Sequence, residues 1–137
     1  MQPFSLTPLA MLYHLGNQDP YGHEIRTILR ELGVPIRTLH EEDMNSSVGS
    51  LCGLSDPVLA ELSPVSNGAS ARLLPAPDFS FLLMAFFPEE LLDQLLRAMK
   101  EASIQIPYKA VLTKTNRLYR LQRLMEEVKS EHNNING

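Results

Sequence analysis

The stretch 79–87, Phe-Ser-Phe-Leu-Leu-Met-Ala-Phe-Phe, carries one small hydroxyl and no charge, and Pro77 and Pro88 bracket it. A run this short cannot cross a bilayer, and its aromatic content between prolines favours a strand buried on both faces over a core helix. The rest of the chain reads as material that covers this strand. With 137 residues, 44% hydrophobic and 20% charged, the chain has the size and composition of a single globular domain that needs no disulfide or structural metal.

Before the central strand, 10–15 (Ala-Met-Leu-Tyr-His-Leu) reads as a strand stopped by Gly16 and Asn17. Asp19 before Pro20 is an N-cap followed by an N1 proline, and Ile25, Ile28, Leu29 and Leu32 then form one apolar helical stripe up to Gly33. The stretch 34–39 is a second strand; Pro35 removes a ladder donor and places it at an edge. Met44, Val48, Leu51 and Cys52 have helical spacing, but the serines, Asn45 and Gly49 among them weaken the helix expected over 44–52. From 54 to 77 the periodicity breaks. The Pro, Ser, Asn and Gly of 63–70 mark a loop insertion.

After the central strand, Pro88, Glu89 and Glu90 open a helix whose Leu91, Leu92, Leu95, Leu96 and Met99 form a wide apolar face. A fourth strand, 108–113, carries Lys109 near its start, as an edge strand would. Thr115 or Asn116 can cap the last helix, with Leu118, Leu121, Leu124, Met125 and Val128 facing inward, and the tail 133–137 is expected to fray. Strands alternating with helices predict a single three-layer α/β domain over 1–137. Its sheet is short, four-stranded and parallel, in the flavodoxin-like order 2-1-3-4. The first and last helices lie on one face, the second and third on the other. A ferredoxin-like α+β arrangement with an antiparallel sheet is the alternative.

In an open parallel sheet, ligands bind beyond the carboxyl ends of the strands. That edge would gather Asn17, His40, Glu89 and the turn Thr113, Lys114, Thr115, Asn116 and Arg117. The turn combines hydroxyls, an amide, two cations and the N–H groups of a helix start, a set suited to phosphate or carboxylate. The structural alternative is that Thr115 or Asn116 caps the helix and does nothing more. Lys114, Arg117 and Arg120 stand at the start of that helix and Glu126, Glu127 and Glu131 at its end, the reverse of what the macrodipole prefers. An anionic partner would compensate, and so would solvent screening with an Arg123 to Glu127 pair.

The run Lys-Ala-Val-Leu-Thr-Lys-Thr-Asn-Arg at 109–117, with the amphipathic helix after it, resembles the C-terminal signature of a small bacterial protein family of unknown function. The likeness extends more loosely to the first strand with Gly16 and to Glu31, Leu32 and Gly33. The resemblance implies a small α/β domain, with Thr113 or Thr115, and Asn116, as the positions of interest. It supplies no activity.

Several function classes are disfavoured. The formal net charge of −4 argues against nucleic acid as a partner, since such binding rests on neutralising phosphates. No transmembrane run and no leader are read, and the expected compartment is the cytoplasm. The lone Cys52 reads as a buried apolar residue rather than a reactive thiol. His14, His23, His40 and His132 are scattered without metal-ligand spacing, and neither a P-loop nor a dinucleotide fingerprint occurs. A phosphoacceptor domain would need carboxylates where Ala85, Phe86 and Phe87 and Gly16 and Asn17 stand. The expectation is therefore a non-catalytic binding domain for an anionic small molecule or acidic segment, without metal or cofactor. Two other classes stay open: a homo-oligomeric or protein-binding module using the 54–77 arm, and a small enzyme doing acid–base chemistry with Thr113 or His40.

Overall fold

The computed structural model describes residues 7–16, 18–54 and 76–136. Most of the 54–77 arm, and Asn17, lie outside the described residues. Two compact units are formed, Met1–Thr38 with Ser80–Val111 and Leu39–Phe79 with Leu112–Gly137.

The first unit holds the sheet. Its strands are β1 (Leu9–Tyr13), β2 (Ile36–Leu39, ending at the boundary of the unit), β3 (Phe81–Ala85) and β4 (Lys109–Val111), in the order β2-β1-β3-β4. Helix α1 (Pro20–Glu31) connects β1 to β2, and α3 (Glu89–Glu101) connects β3 to β4. All five residues of β3 are buried, as the apolar run requires. Asp19 caps α1 as its spacing predicts, its carboxylate accepting from the N–H groups of Tyr21 and Gly22 at 2.8 and 3.1 Å. Arg26 ties α1 to the segment that follows β1 and to β2. Its Nε donates to the Leu15 carbonyl at 2.8 Å and its Nη2 to Thr38 Oγ1 at 2.9 Å.

The expected strand order holds, but the expectation of an all-parallel sheet does not. β1 runs antiparallel to β3, with Leu9 opposite Ala85 and Tyr13 opposite Phe81, while β3 and β4 are parallel. The mixed sheet is thus neither flavodoxin-like nor the antiparallel ferredoxin-like alternative. Only strands joined by a direct helical crossover are constrained to run parallel, and that holds for β3 and β4. The connection from β2 to β3 is long enough to return in either direction.

The helices also depart from the expected layering. Ile25 and Leu29 of α1 and Leu95 and Met99 of α3 lie in one core with Ala10, Leu12, Leu82 and Met84. α1 and α3 therefore cover the same face of the sheet. The alternating residues Met11, Tyr13, Phe81, Leu83 and Ala85 are buried as well, so the central pair is buried on both faces.

Local features repeat on the two sides of the Met11 and Leu83 pair, which is the centre of the β1–β3 register. The shift that carries Leu9–Tyr13 onto Phe81–Ala85 also carries His14 onto Phe86, and both of these residues have left-handed backbone, at φ 57° and 62°. Both helices end alike. Gly33 and Ser103 are left-handed at φ 76° and 58°. The next residues, Val34 and Ile104, donate their N–H groups to the Leu29 and Met99 carbonyls, each at 2.9 Å. This is the same helix stop used twice, once with the residue that favours it and once with serine.

The second unit contains α2 (Val48–Leu51) and α4 (Leu121–Asn136), with 3-10 turns at Glu41–Asp43 and Asn116–Leu118. The helix expected over 44–52 shrinks to one turn. Ser47 is its N-cap, accepting from the Ser50 N–H, so the chain before it is held outside the helix. Leu121, Leu124 and Met125 of α4 are buried as expected, whereas Leu118 and Val128 are only half-buried. The backbone of α4 stays helical to Asn136, into the tail where fraying is expected.

Candidate functional site

The turn 113–117 connects β4 to the 3-10 turn that precedes α4. Its conformation is set by a reciprocal pair. The Thr113 N–H donates to Asn116 Oδ1 at 2.8 Å, and the Asn116 N–H donates to Thr113 Oγ1 at 3.0 Å. Backbone bonds from Arg117 to the Thr113 carbonyl at 3.1 Å and from Tyr119 to the Asn116 carbonyl at 3.0 Å continue the coil. Short polar side chains that satisfy neighbouring backbone groups in this way rigidify a turn. Thr113 and Asn116 are thus committed to the backbone of the turn, and the cap of the last helix expected from Thr115 or Asn116 is not formed: α4 begins only at Leu121, and the Thr115 side chain makes no cap at the 3-10 turn.

The backbone beyond the turn is committed too. The Leu121 N–H donates to the Ser46 carbonyl at 2.9 Å and the Gln122 N–H to the Met44 carbonyl at 3.1 Å, while the Val48 N–H donates to the Tyr119 carbonyl at 2.8 Å. The Ser46 and Met44 carbonyls occupy the place at the start of α4 that an anion would take at an open helix N-terminus. The cations after the turn have their own partners. Arg120 Nη1 donates to the Asn45 carbonyl at 2.5 Å. Arg123 stacks 4.0 Å over the Tyr119 ring and its Nε meets Glu127 Oε2 at 2.7 Å. The Glu127 hydrogen bond holds the Arg123 guanidinium above its ordinary pKa. Positive charge at the start of α4 is therefore compensated by carbonyls and by Glu127.

Between the reciprocal partners stand Lys114 and Thr115. Both are exposed, and neither side chain has a hydrogen bond or ion pair among the described residues. A rigid turn thus presents one ammonium and one hydroxyl to solvent, with half-buried Arg117 adjoining them. Chemically, this arrangement can hold an anionic oxygen. The turn 113–117 itself carries no carboxylate, imidazole or thiol.

The remaining residues expected at the site fall in both units. The antiparallel register puts the end of β1 beside the start of β3. Gly16, which follows β1, and Glu89, which follows β3, are therefore at opposite ends of this strand pair, so these two segments do not converge. Asn17 lies outside the described residues. Glu89 is exposed in the first turn of α3, where an acid suits the helix dipole. His40 starts the 3-10 turn Glu41–Asp43. Its N–H donates to Asp43 Oδ2 at 2.8 Å, and its Nδ1 stands 3.9 Å from the same oxygen. Among the described residues, no three His, Cys, Asp or Glu side chains converge as a metal site would require. No described helix is long and apolar enough to cross a membrane.

One further concavity has no counterpart in the sequence reading. A groove of about 470 Å³ runs between α1 and α3, with Glu24, Glu31 and Glu101 on its walls and Ile28 and Ala98 among its lining. Its Thr27 hydroxyl already donates to the His23 carbonyl at 3.0 Å. Helical spacing marks 24, 27, 28 and 31 as one side of α1, but the partner helix that makes them a groove is set by tertiary packing.

Residues 80–135 match the model of a family described as a domain of unknown function, DUF3783. The matched part runs from β3 through α3, β4 and the turn 113–117 into α4, so the likeness to a family of unknown function holds there at that level. Gly16 and Glu31, Leu32 and Gly33 lie outside it. No curated protein and no solved structure matches the chain.

Proposed function

We propose that the chain is a non-catalytic binding domain that recognises an anionic group, on a small molecule or an acidic segment, at the turn 113–117. The observation that carries this reading is the reciprocal Thr113 and Asn116 pair, which holds the turn rigid while the Lys114 and Thr115 side chains stay exposed between them, without a hydrogen bond or ion pair among the described residues. Recognition falls to side chains: the Lys114 ammonium and the Thr115 hydroxyl, with Arg117 beside them. A preorganised turn loses little conformational entropy on binding, which favours a specific contact over a diffuse one. The turn also lies within the part of the chain that the family model matches.

The test is a thermal-shift series with inorganic phosphate, a dicarboxylic acid and a short acidic peptide, run on the natural chain, Lys114→Ala and Asn116→Ala. Free ligand at a hundred times its dissociation constant adds about 2.7 kcal/mol to stability. The expected result is a rise in melting temperature with at least one probe, which Lys114→Ala abolishes while its ligand-free melting temperature stays put. Asn116→Ala should lower the ligand-free value as well, since it removes the acceptor of the Thr113 N–H, a hydrogen bond of about 0.5–1.5 kcal/mol. A flat response to all three probes, or an undiminished one in Lys114→Ala, would overturn the proposal.

A further inference from the structure

No further inference is drawn: the strongest candidate, the groove between α1 and α3 walled by Glu24, Glu31 and Glu101, is an acidic cluster on an exposed surface, and nothing in the structure shows what covers it.

Discussion

At the scale of single residues, Gly22 is a crowded position. It is buried in the first turn of α1, where an added Cβ would fall on the Gly16 carbonyl oxygen and 2.5 Å from the Leu15 carbonyl carbon. Both obstacles are backbone, which cannot rotate away. Gly22→Ala should therefore destabilise the protein by about 1–3 kcal/mol or more, as overpacking does; urea denaturation measures this, and an unchanged midpoint would show that the helix start can shift outward. Lys109 is a second informative residue. Its ammonium donates to the Ile106 carbonyl at 2.7 Å, and burial pushes its pKa below the ordinary lysine value. A lysine whose pKa is lowered by folding binds fewer protons in the native state, so its charge opposes folding below the lowered value. That opposition fades as pH rises towards 10.5, the ordinary value. The stability of the natural chain relative to Lys109→Met should accordingly improve between neutral pH and pH 10.5, by denaturation at each pH; a difference that does not vary with pH would mean that the ammonium is fully hydrated. Asp19 was legible as a cap because a short polar side chain before a proline and helical periodicity has few other uses, whereas Asn116, expected as a cap of the last helix, bonds back to Thr113 within the turn. The reciprocal partner of Asn116 was less legible, since several hydroxyls stand close by and only the backbone path selects Thr113.

At the scale of elements, the two helix stops form a natural comparison. α1 ends at Gly33 and α3 at Ser103, both left-handed and followed by equivalent backbone hydrogen bonds. A side chain at such a position is strained by roughly 1 kcal/mol relative to glycine. Ser103→Gly should raise stability by up to about 1 kcal/mol and Gly33→Ala should lower it by a similar amount, both read from thermal or urea unfolding. A loss of stability in Ser103→Gly would show that the stops are equivalent only in outline. Strand β3 behaves differently, because its contribution comes from burial rather than backbone preference. Leu83 is fully buried at the centre of the pair with β1, so Leu83→Ala should cost about 2–5 kcal/mol. The apolar run announced this strand, although its end at Ala85 depends on Phe86 turning left-handed. The short α2 was poorly legible. Local serines compete for the backbone there, and periodicity alone overstates the length of the helix.

At the scale of the whole molecule, the mixed sheet makes one further expectation. β1 and β3 have neighbours on both sides, whereas β2 and β4 are edges. Amide exchange should be slowest in Leu9–Tyr13 and Phe81–Ala85 and faster in Lys109–Val111, since opening an edge breaks fewer contacts; equal protection in all four strands would point to a covered edge. The amino-acid sequence by itself determined where most strands and helices form, which strand is central, and that β2 and β4 lie at the edges. These are properties of local periodicity, capping and proline, which act over a few residues. Tertiary structure alone decided that β1 runs against β3, that α1 and α3 share one face, and hence that the turns after β1 and β3 lie apart instead of forming one site. A strand has the same alternating pattern read in either direction, so its polarity is set only when distant segments pack and their backbone hydrogen bonds choose a register.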